Sequence, residues 1–217
     1  MKFVILYDYP PSPGGLATQG DMLYRGLKEM GAEVYPAPMR SDREKEWYYR
    51  WFKPDVTVGV GYWGHLPEIL SQTEKFGVQG IPWLVADGFV ANYRDQMNEF
   101  PLILVTSQWV KDIYVRDGVN SDLIKVLPVG FDMSSFTPRD RGNKKVKAVR
   151  KMWGIKDDEL LILTIGGDAA SKGGREVMKA LAQIDSQVPD WHYLCKIWPQ
   201  NRTIKQTNSD LMLARQL

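Results

Sequence analysis

Two glycine-rich stretches carry residue types suited to chemistry on an anion. Pro13-Gly14-Gly15 lies between an apolar run at residues 3–7 and a helical pattern that follows. Gly166-Gly167-Asp168-Ala169-Ala170-Ser171-Lys172-Gly173-Gly174 lies between a second apolar run, residues 160–165, and a second helical pattern. Glycine lets backbone come close to a ligand, and a helix N-terminus offers unpaired N–H groups to anions. A nucleoside diphosphate suits either place. At the first stretch, a tight turn with no ligand accounts for the residues equally well. At the second, Lys172 sets a cationic point charge where the helix dipole disfavours one. A surface lysine is the plain alternative, and the dipole mismatch favours an anionic ligand.

A third pattern is Gly59-Val60-Gly61-Tyr62-Trp63-Gly64, with Asp87 further on. On paper it is the dinucleotide fingerprint. That motif belongs to the first strand–helix unit of its folds, whereas this one follows a later strand, and Tyr62 and Trp63 are bulky for a loop around a pyrophosphate. Coincidence is the favoured reading. His65 follows the loop and could hydrogen-bond a sugar or phosphate; a solvated histidine near a helix start is slightly favoured. Asp87 ends the next strand. It could orient a sugar hydroxyl or face developing positive charge, and a helix N-cap explains it equally well. Two histidines and one cysteine, Cys195, cannot build a Cys/His zinc site, and no GxSxG, HExxH or P-loop pattern occurs.

The elements that must hold these residues alternate. Strands are predicted at residues 3–7, 32–35, 55–60, 81–86, 102–106 and 124–127. Between them lie a helix carrying Leu16, Leu23, Leu27 and Met30, a short aromatic helix with the pairs Trp47/Trp51 and Tyr48/Phe52, a helix beginning at Pro67, and one capped by Ser107. Such alternation means a mostly parallel sheet covered on both faces. The polar stretch 132–147 reads as a domain link. After it come a strand at 160–165, a helix carrying Val177, Leu181, Ile184 and Val188, a strand at 191–198 and a closing helix near 210–216. The domains are then residues 1–140 and 141–217. A second sheet so small is hard to stabilise alone, so self-association or further chain is expected.

The 217 residues carry a net charge of +2, and 44% are hydrophobic. This is a folded protein without the strongly basic face of a nucleic-acid binder. The single cysteine fits a reducing, cytoplasmic setting. No apolar run reaches the roughly 20 residues of a membrane span, and peripheral membrane contact stays open.

Four segments together resemble glycosyltransferase family 4, of the GT-B fold: Pro10-Pro11-Ser12-Pro13-Gly14-Gly15; Val105-Thr106-Ser107-Gln108-Trp109-Val110; Ile124 to Asp132 with Phe136-Thr137-Pro138; and Leu161 to Lys172-Gly173. The resemblance implies a Rossmann-like, acceptor-side first domain and the start of a second that holds the donor. It implies retaining transfer of a sugar from a nucleoside-diphosphate sugar to a hydroxyl of a glycan, lipid or small-molecule acceptor, with no metal or other cofactor. Lys172 and Gly173 would bind the diphosphate, and Gly14 and Gly15 would touch it from across the cleft. Asp87 takes the strand-end place where many members carry a functional histidine, and His65 is a further substrate-binding candidate. Two departures stand out. Gly167 occupies a position usually held by arginine, and the paired glutamates of the family's donor domain are not in this sequence, which reads as truncated. The alternatives are a non-catalytic binding module and, less favoured, an NAD-dependent oxidoreductase using Gly59, Gly61 and Gly64.

Overall fold

The computed structural model describes residues 1–11, 14–86, 88–165, 172–184, 187 and 190–196. The chain divides into two compact units, Met1–Phe136 and Thr137–Leu217.

The first unit is built on six strands: β1 (Lys2–Tyr7), β2 (Glu33–Pro38), β3 (Val56–Tyr62), β4 (Gln79–Val85), β5 (Ile103–Val105) and β6 (Ile124–Val126). Every pairing is parallel, and the order is β2-β1-β3-β4-β5-β6. Helices α1 (Gly15–Glu29), α2 (Asp42–Trp51), α3 (Leu66–Leu70), α4 (Arg94–Met97) and α5 (Gln108–Arg116) connect the strands. Parallel strands with crossover helices are buried on both faces, which is why β1 reads as a continuous apolar run. Val4 and Leu6 enter one core with residues such as Leu66, Leu84 and Tyr114, while Ile5 and Tyr7 enter the other with Val58, Val60 and Trp83.

A few polar contacts fix the connections. Lys45 of α2 is fully buried; its Nζ donates to the Glu68 carbonyl at 2.7 Å and pairs with Asp42 at 2.7 Å, tying α2 to α3. Ser107 caps α5 by accepting from the Val110 N–H, as its place before the helix predicts. Trp83 Nε1 donates to the Leu127 carbonyl at 3.0 Å and anchors the chain leaving β6. At the sheet's outer edge, β2 carries Pro36 and Pro38.

The aromatic helix expected around Trp47 is α2, but its packing differs from expectation. Trp47 and Trp51 face solvent, while Lys45, Tyr49 and Phe52 take the inner face.

In the second unit, α6 (Lys144–Met152) begins inside the stretch read as a link. Asn143 caps it by accepting from the Lys145 N–H at 2.9 Å, and buried Arg150 donates to the Glu159 carbonyl at 2.7 Å. The polar link therefore ends at the cap, not at residue 147. Strand β7 (Leu160–Ile165) pairs in parallel with β8 (Trp191–Lys196), and α7 (Gly174–Ile184) lies between them in sequence. Leu163 and Ile165 of β7 remain exposed. The loop 166–171, Val188, Trp198 and the helix expected near 210–216 lie outside the described residues. No helix is long and apolar enough to cross a membrane among the described residues.

Helix α1 packs on β1 at Gly20, where an added Cβ would collide with the Tyr7 ring. By helix propensity alone, Gly20→Ala would add up to about 1 kcal/mol of stability. Overpacking opposes this at about 1–3 kcal/mol. Tyr7 is wholly buried and cannot step aside, so the overpacking term wins. A urea titration should show a lower midpoint for Gly20→Ala with unchanged slope; a higher midpoint would show that the contact relaxes freely.

Candidate functional site

The chain leaves β1 toward β2 on one side and leaves β3 toward β4 on the other. The direction of winding thus reverses between the neighbours β1 and β3, and in open parallel sheets ligands bind beyond the carboxyl ends at such a point. Asp8 and Tyr9 follow β1, Arg40 follows β2, and the 3₁₀ turn Trp63–His65 follows β3.

Helix α1 opens at this edge. Gly14 is its N-cap in extended backbone; no side chain caps the helix, and its first turn holds no acid. Both Gly14 and Gly15 are exposed. A Cβ added at Gly15 would meet nothing within 4 Å. Neither internal packing nor a left-handed backbone requires glycine there. What the missing side chain leaves is open space beside the uncapped N–H end of a fifteen-residue helix, a place suited to an anion.

The glycines of the fingerprint-like pattern are different. Gly59 and Gly61 lie within β3 itself. A Cβ at Gly59 would collide with Ile69, one at Gly61 would lie 2.5 Å from His65 Nδ1, and one at Gly64 would lie 2.6 Å from the Tyr62 ring. These glycines make room for the chain's own α3 and turn. The geometry gives no support to a pyrophosphate loop there.

His65 departs from the expectation of a solvated side chain. It is only 6% exposed, seated in the space that Gly61 opens and 4.2 Å from the Tyr62 ring. Its Nε2 lies 3.4 Å from Arg40 Nη2, and its Nδ1 is buried without a partner among the described residues. Burial pushes the imidazole below its ordinary value; Glu68 opposes this, Arg40 adds to it and Asp8 opposes it. A neutral ring can accept from the guanidinium, so His65 holds Arg40 at the mouth of the crevice. Arg40 escaped the sequence reading. The strand expected at 32–35 runs on to Pro38, two residues before Arg40, and that extension is what brings Arg40 to the ligand edge.

Asp87 lies outside the described residues. The chain just after it is pinned by Asp117, which accepts from the Val90 N–H at 2.7 Å, and by Arg116, which donates to the Gly88 carbonyl at 2.8 Å. In the second unit, Lys172 is exposed just ahead of α7, and Gly173 adopts a left-handed φ of 70° before the helix starts. The Gly173 carbonyl accepts the first helical bond, from Val177 N–H at 3.0 Å. Lys172 thus stands at a second helix N-terminus, as its sequence position predicts.

No protein-family model matches the chain, and no curated protein matches it. Among solved structures it is similar to a glycosyltransferase from Rickettsia africae ESF-5, with a TM-score of 0.78 and 14% identity over 99% of this chain and 65% of that one. It is also similar to HepE of Anabaena in complex with UDP and glucose, with a TM-score of 0.71 and 14% identity over 99% of this chain and 66% of that one. MurG of Acinetobacter baumannii gives a TM-score of 0.51 at 13% identity, over 99% of this chain and 63% of that one. The fold is of the GT-B type. At these identities the likeness is one of fold, and the chain spans less than two thirds of the length of these GT-B structures.

The buried His65 makes stability depend on pH with a definite sign. Its folded pKa lies below the unfolded value of about 6.5. Between those two values the unfolded chain binds the proton and the folded chain does not. This contribution is therefore whole above about pH 6.5 and is lost as pH falls through the folded value. Denaturation midpoints at pH 7.5 and 5.5 should differ less in His65→Gln than in the parent; an equal drop in both would show that His65 is not the group responsible.

Proposed function

We propose that this chain carries the acceptor-side domain and the opening of the donor domain of a nucleotide-sugar-dependent glycosyltransferase. The observation that carries the reading is Gly15: a glycine that nothing in the fold requires, set in open space at an uncapped helix N-terminus on the ligand edge of the sheet. Support comes from Lys172 and Gly173 ahead of α7, and from fold neighbours that include a glycosyltransferase and a structure holding UDP and glucose.

In the reaction proposed, the bond from the anomeric carbon to the donor diphosphate breaks, and a bond to an acceptor hydroxyl oxygen forms. Negative charge grows on the departing diphosphate. Helix N–H groups and Lys172 are suited to stabilise that charge, which is where such interactions accelerate group transfer. Retention of configuration, membership of family 4, a cytoplasmic location and independence of metal or cofactor follow from the sequence resemblance and are part of this proposal. Asp87 is assigned to the acceptor side of the reacting centre and His65, through Arg40, to its positioning.

Titration calorimetry with UDP and with GDP tests the reading. A charge-assisted contact to phosphate contributes about 1.5–3 kcal/mol, so Lys172→Ala should weaken nucleotide binding by about tenfold or more. Gly15→Ala should also weaken it while leaving the denaturation midpoint close to the parent's, because the added Cβ meets nothing within 4 Å. Binding of neither nucleotide by the parent chain would overturn the reading, and undiminished binding by Lys172→Ala would remove that residue from it.

A further inference from the structure

An aromatic surface lies on the β2 side of the first unit, built from β2 and α2. Tyr48 of α2 is half-buried, with the Trp47 ring 4.9 Å away. Tyr35 of β2 then meets Tyr48 at 5.9 Å, Phe52 at 4.8 Å and Trp51 at 5.4 Å. Trp47 stacks on Trp51, with centroids 4.8 Å apart and planes 20° from parallel. Trp47 and Trp51 are each 54% exposed, although one Trp ring already covers part of the other. A contiguous exposed apolar patch of this kind marks a binding surface.

The chemistry of the patch narrows the occupant. Its exposed apolar side chains between residues 33 and 52 are Tyr35, Trp47 and Trp51, with no aliphatic residue among them. Helix α2 itself holds Asp42, Glu44 and Glu46 against Arg43, Lys45 and Arg50, so its formal charge is zero. A membrane-surface helix has a basic polar face that meets anionic lipid, and a nucleic-acid site has a positive groove; α2 has neither. A pyranose ring differs from both. It is uncharged, presents C–H groups to the negative face of an aromatic ring, and turns its hydroxyls outward to polar neighbours. Exposed Arg43, Glu44 and Arg50 flank the patch.

We propose that Trp47, Trp51 and Tyr35, packed around Tyr48, form a saccharide-binding platform that takes sugar residues of an oligosaccharide acceptor beyond the one modified. The assignment of that oligosaccharide as acceptor rests on the glycosyltransferase reading. The binding of saccharide at the platform does not.

The test uses the whole chain. Intrinsic tryptophan fluorescence and calorimetry are followed against maltohexaose, cellohexaose and chitohexaose, with sedimentation against vesicles of phosphatidylcholine and phosphatidylglycerol at 7:3, and light scattering for self-association. At least one hexasaccharide should bind, and Trp47→Ala and Trp51→Ala should each weaken it by about tenfold. Trp47→Leu keeps apolar area but loses the flat ring, so it should lose as much as Trp47→Ala. Exposed positions tolerate these changes, and unaltered circular dichroism confirms the fold. UDP binding should be unchanged in all three variants. Binding of none of the saccharides, full retention in Trp47→Leu, vesicle binding, or a dimer abolished by the same substitutions each overturns the platform. If UDP binds and saccharide does not, the platform alone fails; if saccharide binds and neither nucleotide does, the platform stands and the transferase reading fails.

Discussion

The contact of Gly20 with the Tyr7 ring sets the geometry on which the ligand edge depends. Because α1 carries no side chain at Gly20, its axis can come down onto β1 where the Tyr7 ring lies. That approach holds α1, whose N-terminal end carries Gly14 and Gly15, tightly against β1. The same ring fills the second core with Val58, Val60 and Trp83, joining the helix to the centre of the sheet. A helix N-terminus is only as useful to an anion as its placement is rigid, since its partial charge acts within the first turn.

A second constraint works through removed side chains in β3. Gly59 admits Ile69 of α3, and Gly61 admits His65. The strand thereby draws its own following helix close and buries an imidazole whose desolvation outweighs the nearby carboxylates of Glu68 and Asp8. Arg40 is then held in place by a neutral partner rather than by an acid. Its charge stays available at the crevice mouth, whereas an ion pair would have spent it internally.

Much of this was legible in the sequence, and the reasons differ by element. Strand β7 was read to the residue because its apolar run is sharply marked off, by Glu159 before it and the glycines after it, although Leu163 and Ile165 stay exposed. Ser107 was read as a cap because the small hydroxyl residue stands at the junction of a strand and a helical pattern. Helix α6 was missed: its sequence is strongly cationic and buries little beyond Arg150, so periodicity is faint, and Asn143 was the only clear mark of its start. The burial of His65 depends on Gly61, four residues away and across a turn, and no local pattern states that. Trp47 and Trp51 read as packed because aromatic pairs at helical spacing usually are. Their outward direction is set by Lys45 reaching the end of α3, which is a tertiary choice. The glycines illustrate the same point twice. Gly15 and Gly59 look alike in sequence, and only the atoms around them separate room for a ligand from room for the chain.

The prolines of β2 have a bearing on how this protein behaves in company. Backbone N–H groups along a strand point alternately to its two sides, so Pro36 and Pro38, two residues apart, remove donors from one side. β1 pairs along the whole length of β2, which leaves the depleted row for any strand arriving from outside. An exposed edge beside a large aromatic surface would otherwise be a template for fibrous growth, with the hydrogen-bond row supplying register and the rings supplying adhesion. With the row broken, the aromatic surface can stay uncovered in a crowded solution without recruiting further copies of the chain into a sheet.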